Sequence, residues 1–213
     1  FGTKDGLNRY DGLSFRVFKF DVRTKKSIGN NFITALYEDQ KGTIYVGTDA
    51  GLYVYSPITE SFIRFSLRSA QGTSIEHSVT SIISDKNGCI WVSVDSQGLF
   101  CYSPSQETLT NYFSSKSKKH ISANITRFWF DDSGTCWLCL YDDNLYYTKD
   151  NFKTLKPYMA ADGSQPFKDD IINKLVSGPH HCLYVGSSKG GLKEIDLTTN
   201  KVRTLLLKDE SGE

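Results

Sequence analysis

Residues 33–65 read ITALYEDQKGTIYVGTDAGLYVYSPITESFIRF. Four short runs of apolar and aromatic residues stand in this stretch, separated by turn-forming residues. Ile33 to Tyr37 leads into Asp39-Gln40-Lys41-Gly42. Thr43 to Gly47 follows, then a loop at Thr48-Asp49-Ala50, then Leu52 to Tyr55, a turn around Pro57, and Phe62 to Phe65. Aromatic and β-branched side chains suit a pleated, half-buried surface. Asp opens a tight turn by bonding its own backbone, and Gly takes the positive φ that closes it. The stretch predicts four short strands, A to D.

The same pattern recurs along the chain. Ile44-Tyr45-Val46, Ile90-Trp91-Val92, Cys136-Trp137-Leu138 and Leu183-Tyr184-Val185 have middle residues spaced by 46, 46 and 47. Ile33, Val79, Ile125 and Ile171 form an earlier landmark with a constant spacing of 46. Gly51-Leu52, Gly98-Leu99, Asn144-Leu145 and Gly191-Leu192 form a later one. Gly2-Thr3 and Gly6-Leu7 fit the same frame as Gly47-Thr48 and Gly51-Leu52. The turn returns as Asp85 to Gly88 and Asp131 to Gly134. At Ser177 to His181 both turn signals are lost, and an extra residue placed there would account for the final 47.

A four-stranded unit of ~40–50 residues, repeated in register without helical periodicity, is the mark of a β-propeller. The fold expected is all-β, with four-stranded antiparallel blades and a repeat of about 46 residues. Residues 1–20 hold strands B to D of a partial blade. Blades follow at 31–66, 78–113, 124–158 and 170–207, and 208–213 form a tail. Tyr45, Trp91, Trp137 and Tyr184 are the aromatics expected to fill the gaps between blades. A seven-bladed ring at this repeat needs roughly 320 residues. The five blades therefore predict a partial ring, a piece of a longer chain or one of two copies meeting at open apolar faces.

Composition narrows the partners. The 213 residues hold 25 Lys and Arg against 24 Asp and Glu, a net charge of +1. A surface made to neutralise phosphates needs a clear basic excess, so no nucleic-acid contact is expected. No uninterrupted apolar run approaches the ~20 residues that span a bilayer, and no charged-then-apolar leader opens the sequence. The 13 Phe, 12 Tyr and 3 Trp beside a single Met fit strands. Five cysteines, an odd number without a framework spacing, argue against a disulfide scaffold. Cys136 and Cys139 match C-x-x-C, but on strand B they point to opposite faces and read as small buried hydrophobes. The four histidines lack metal-ligand spacing, and neither a metal nor a cofactor is expected.

The unit resembles the regulator-propeller repeat of bacterial hybrid two-component sensors, of the kind found in gut Bacteroidetes. The matching residues are Asp39 to Gly42, Ile44 to Thr48, Gly51 to Tyr55 and Phe62 to Phe65, together with the opening Gly2 to Asp11. The resemblance implies the periplasmic part of an inner-membrane sensor. Membrane attachment would come through a transmembrane segment outside this sequence. It also implies an oligosaccharide ligand, a homodimeric parent ectodomain, and a histidine kinase on the same parent chain. The fragment itself would not be an enzyme.

Propeller geometry places candidate ligand contacts. The D-to-A and B-to-C connections share one face, and the D-to-A connections at 66–78, 114–124 and 159–170 are long. Long loops on a rigid scaffold commonly carry binding. Asn31, His77, Asn124 and Asp170 lie at or just before strand A. Asp49, Asp95, Gln97, Asp142, Asp143 and Lys189 lie in B-to-C loops. Asn, Asp and Gln can bond sugar hydroxyls there. Adjacent Asp142 and Asp143 also leave open a carboxylate pair of a lyase or glycan-cleaving propeller, and a plain protein-interaction scaffold is the other alternative.

Overall fold

In a computed structural model of the chain, residues 1–67, 76–112, 125–140 and 144–205 are described. Every regular element among them is a β-strand, and the strands form five antiparallel sheets. The first has three strands, β1 (Gly2–Thr3), β2 (Gly6–Tyr10) and β3 (Phe15–Phe18). The second comprises β4 (Ile33–Glu38), β5 (Ile44–Thr48), β6 (Gly51–Ser56) and β7 (Ser61–Phe65). The third comprises β8 (Val79–Ser84), β9 (Ile90–Val94), β10 (Gly98–Ser103) and β11 (Thr108–Asn111). The fourth holds β12 (Ile125–Phe130), β13 (Cys136–Leu140), β14 (Leu145–Thr148) and β15 (Lys156–Pro157). The fifth holds β16 (Ile172–Gly178), β17 (Cys182–Ser187), β18 (Gly191–Asp196) and β19 (Val202–Leu205). In each sheet, strands adjacent in sequence are adjacent in space, the order of a propeller blade. The chain divides into two compact units, Phe1–Thr126 and Arg127–Glu213.

In the first unit, period-two alternation sorts the side chains of the second sheet between its neighbours. Val46, Tyr53, Tyr55 and Phe62 join Leu7, Ile28 and Ile33 in one buried cluster, with Phe18 of the first sheet packed against it. Tyr45 and Leu52, one residue out of step, join Val79, Ile82, Ile90 and Val92 of the third sheet in another. Both faces of β5 are thus buried. The second unit repeats the arrangement, with Trp137, Cys139 and Leu145 meeting Ile172, Leu175, Leu183 and Val185. A hydrogen bond recurs across two of these seams, second to third sheet and fourth to fifth. Tyr37 Oη and Ser84 Oγ are 2.5 Å apart in the first unit, and Trp129 Nε1 donates to Ser177 Oγ at 2.8 Å in the second.

The turn between the first two strands of a sheet is held by one aspartate. Asp39 Oδ1 accepts from the amides of Lys41 and Thr43, and Gly42, at φ 78°, donates its amide to the Asp39 carbonyl. Asp85 and Asp131 repeat this, with Gly88 at 77° and Gly134 at 85°. In these two sheets the second carboxylate oxygen takes the indole of the aromatic on the next strand. Trp91 Nε1 donates to Asp85 Oδ2 at 2.8 Å, and Trp137 Nε1 to Asp131 Oδ2 at 2.9 Å.

The fifth sheet corrects one expectation. Ile172 pairs with Ser187 as Ile33 pairs with Thr48 and Val79 with Val94. Ile172, not Ile171, is therefore the landmark: it is buried while Ile171 is 54% exposed. The extra residue lies before the strand, not in the turn. The turn keeps its length, with Gly178 in the place of the aspartate and His181, at φ 56°, in the place of the closing glycine. A Cβ at Gly178 would meet the Tyr184 ring at 2.3 Å, so the ring occupies the space an aspartate would need.

Two measurements test these contacts. A Cβ at Gly47 would lie 2.7 Å from Val79 Cγ1 and 3.1 Å from Ala35 Cβ, so Gly47→Ala should destabilise the first unit by about 1–3 kcal/mol. Adding Val79→Ala should recover part of that loss in a double-mutant cycle of urea unfolding. Asp131→Ala strands the buried Trp137 indole and should cost about 2–3 kcal/mol. Asp39→Ala should cost less, because no indole leans on it. Equal midpoints for these two variants would refute the role given to the second oxygen.

Candidate functional site

The loop face is assembled by backbone hydrogen bonds between the B-to-C loop of a sheet and the segment entering a first strand. The Asp49 amide donates to Phe32 O, Asp95 to Ser78 O, Gly6 to Asn31 O and Ser188 to Ile171 O, all at 2.8–3.0 Å. The two kinds of connection therefore share a face in each sheet where both are described. Buried Thr48 supports its loop from beneath, donating to the Gly51 carbonyl at 2.9 Å while accepting from the Ala50 amide at 3.2 Å. Thr3 makes the equivalent bond to Gly6 in the first sheet.

On this face the expected residues take different parts. Asn31 Oδ1 accepts from the Phe20 amide at 2.7 Å, fixing the connection that enters β4. Asp49 projects into solvent from its loop. His77 and Gln97 come together in the third sheet, with their Nε2 atoms 3.4 Å apart, and Asp95 stands in the same loop as Gln97. Asp170 is buried, and its two oxygens accept from the Lys189 and Gly190 amides at 2.9 and 2.8 Å. Burial alone would raise the Asp170 carboxyl. The Ser187 hydroxyl, those two amides and the Lys193 ammonium outweigh it and hold the group below the usual carboxylate range. Lys189 Nζ donates to Asp169 O at 2.6 Å. Asp170 and Lys189 thus form one loop clamp, whereas Asp49, His77, Asp95 and Gln97 present polar groups outward. Asn124, Asp142 and Asp143 lie outside the described residues, as does the long connection at 114–124.

The connection at 159–170 is not a free loop. Tyr158, Ala160 and Phe167 are buried in the core of the second unit, and a turn closes with the Gly163 amide on Ala160 O at 2.9 Å. Length suggested a binding loop; Ala160 and Phe167 make it part of the core. Cys136 and Cys139 are both buried free thiols, and burial pushes both well above their ordinary range, which removes thiolate reactivity. Among the described residues no group of His, Cys, Asp and Glu could hold a metal. Among the described residues there is no helix long and apolar enough to cross a membrane.

Cavities occur at the seams between sheets, toward the short A-to-B and C-to-D turns, and Met159 of the connection at 159–170 reaches the third of them. One of about 430 Å³ is lined mainly by apolar residues of the first and second sheets, including Leu7, Tyr10, Leu36 and Tyr55. A polar one of about 270 Å³ lies between the turns at Asp39–Lys41 and Lys86–Gly88. A third, of about 350 Å³, belongs to the second unit. None of the ligand contacts expected from the sequence lines any of the three. The Asp39 and Asp85 turns border the second cavity and the Asp131 turn with Trp137 borders the third, so residues read from the sequence as turn and packing positions also form cavity walls.

Residues 27–50 match the family described as two component regulator propeller. No curated protein is significantly similar to the sequence. Among solved structures, one similar chain is described as the extracellular domain of a hybrid two component system, BT3049 of B. thetaiotaomicron. It is 19% identical with a TM-score of 0.71, over 98% of this chain and 33% of that one. PorZ, described as a surface component of the type-IX secretion system of Porphyromonas gingivalis, gives 14% identity and a TM-score of 0.70, over 98% of this chain and 32% of that one. An auxiliary nutrient binding protein of Bacteroides ovatus gives 11% and 0.66, over 100% of this chain and 55% of that one. The chain spans about a third of the length of the first two. Residues 27–50 carry a two component regulator propeller repeat, and the sheets built on its pattern have the fold of the extracellular domains of hybrid two component systems.

Proposed function

We propose that this chain is a ligand-recognising part of the periplasmic ectodomain of a hybrid two-component sensor, and that the ligand is an oligosaccharide. The observation that carries this reading is the match of residues 27–50 to the two component regulator propeller family. The loop face adds Asp49, His77, Asp95 and Gln97, which present the neutral and anionic acceptors that sugar hydroxyls bond. The sheets beneath are fixed by two-sided burial, so a bound saccharide would act on how parts are juxtaposed and not on the sheets themselves. Two copies of the parent ectodomain would change their mutual arrangement on binding, and a kinase elsewhere on the parent chain would respond to the shifted population. The chain contributes recognition; phosphoryl transfer belongs to the parent.

The test is thermal unfolding of the intact ectodomain against a panel of neutral and acidic oligosaccharides, with product analysis of each mixture. A ligand at ~100 times its Kd should add ~2.7 kcal/mol of stability. A shift with one saccharide class and no cleavage supports the sensor reading. Cleavage of the saccharide, or no shift across the panel, overturns it in favour of an enzyme or a protein-binding scaffold respectively.

A further inference from the structure

The third cavity lies wholly within the second unit, between the fourth and fifth sheets, and its volume of about 350 Å³ falls in the range of small-molecule sites. One wall is aromatic. Trp137 packs against Tyr147 at 5.5 Å between ring centroids and 38°, and against Tyr158 at 5.6 Å and 63°. Tyr147 and Tyr158 are both tilted against Trp137, so the three rings do not form a flat slot. Lys149 holds its ammonium 5.9 Å from the centre of the Tyr147 ring. His181 and Asn200 of the fifth sheet stand among the other lining residues.

Two features mark this cavity; the first is shared by the Tyr55 hydroxyl at the cavity of the first and second sheets, and the second belongs to this cavity. The Tyr158 hydroxyl is buried and has no hydrogen-bond partner among the described residues, an arrangement that costs stability unless something satisfies it. His181 occupies the turn position held by Gly42, Gly88 and Gly134 in the other repeats, in a left-handed conformation at φ 56°. L side chains adopt that conformation only at a cost, and here the departure from glycine puts an imidazole at the cavity. Asp131 also lines it, but its oxygens are engaged by the Ser133 and Thr135 amides and the Trp137 indole.

We infer that this cavity is a binding subsite for a single sugar ring. The tilted aromatic wall would take the C–H face of a puckered pyranose, and Tyr158, His181 and Lys149 would bond its hydroxyls, with Asn200, whose Nδ2 already donates to Met159 O at 2.9 Å, offering its Oδ1 as an acceptor. The inference rests on the saccharide reading above and deepens it. It moves one contact toward the A-to-B and C-to-D turns.

The 213-residue chain can be titrated with methyl glucoside, methyl galactoside, N-acetylglucosamine and glucuronate, followed by saturation-transfer NMR and Trp fluorescence. At least one probe should bind. Tyr147→Leu and Tyr158→Phe should each weaken it about tenfold, a loss comparable to one stacking or hydrogen-bond contact. Tyr158→Phe should leave the melting temperature unchanged or higher, because the hydroxyl has no partner to lose. That combination separates a ligand contact from a structural one, and Lys149→Ala, at an exposed position, provides a variant that does not disturb the core. Binding that survives Tyr147→Leu and Tyr158→Phe but falls with Gln97→Ala overturns the subsite and leaves the saccharide reading standing. Failure of every single-ring probe to bind also overturns the subsite, while the oligosaccharide screen of the ectodomain decides the broader reading by itself.

Discussion

Both faces of the second strand of each inner sheet must be buried, and the rest of the structure follows from that constraint. In β5, Val46 faces the first sheet while Tyr45 faces the third, and both are almost fully buried. A strand packed on two sides cannot shift by one residue without sending every side chain to the wrong neighbour. It therefore needs an aromatic where the gap is wide and no side chain where the next sheet comes close. Tyr45 and Gly47 are those two residues, and Gly2 plays the second part against Ile33. The recurrent Tyr37–Ser84 and Trp129–Ser177 hydrogen bonds add direction to contacts that apolar packing alone would leave free to slide.

The turn aspartate links local chain reversal to this packing. One oxygen satisfies amides that the tight turn leaves unpaired, and in the third and fourth sheets the other fixes the orientation of a buried indole. A single carboxylate thereby sets the turn and the rotamer of the aromatic behind it. In the second sheet the aromatic is Tyr45, whose phenol is pushed up to about 12 by burial and then by the nearby Asp39 charge. In the fifth sheet the link is absent: Gly178 makes room for the Tyr184 ring, and in place of a carboxylate the Cys182 thiol donates to Pro179 O at 3.0 Å.

The fold was legible because its signals repeat. The Asp-to-Gly turn, the aromatic on the second strand and the Gly-Leu opening the third occur at one spacing, and each strand of the second sheet lies within a residue or so of where that spacing puts it. The error at Ile171 has a plain cause. Ile171 and Ile172 are both isoleucine, and only pairing with Ser187 decides which one enters the strand. The site was less legible. Counting residues showed that the connection at 159–170 was long, but not that Phe167 and Ala160 anchor it in the core. Asp170 and Asp49 are both loop aspartates in sequence, yet one is a buried clamp and the other is exposed, a difference set by which backbone amides the fold brings to each. Turn and packing positions that wall the cavities were legible as such, but the cavities were not, because their walls combine residues from two sheets.

A repeat fold restricts where specificity can arise. Positions that obey the pattern are committed to packing, so what they offer a ligand is a fixed surface and not a variable one. Specificity must then come from connections or from positions where the pattern breaks. The second unit breaks it most: Asn144 replaces a glycine, the final turn has lost its aspartate, and His181 stands where the other repeats carry glycine. Loss of the aspartate removes a constraint on the fifth-sheet turn, and a histidine in the left-handed position gives that turn a side chain the regular repeats lack. The cavity beside it is lined by Trp137 and Asp131, which still follow the rule, and by His181 and Lys149, which owe nothing to it. A seam with one wall fixed by the repeat and the other released from it can hold a rigid stacking surface opposite side chains free to vary between relatives. Specificity could then change at such a seam without altering the packing that holds the sheets together.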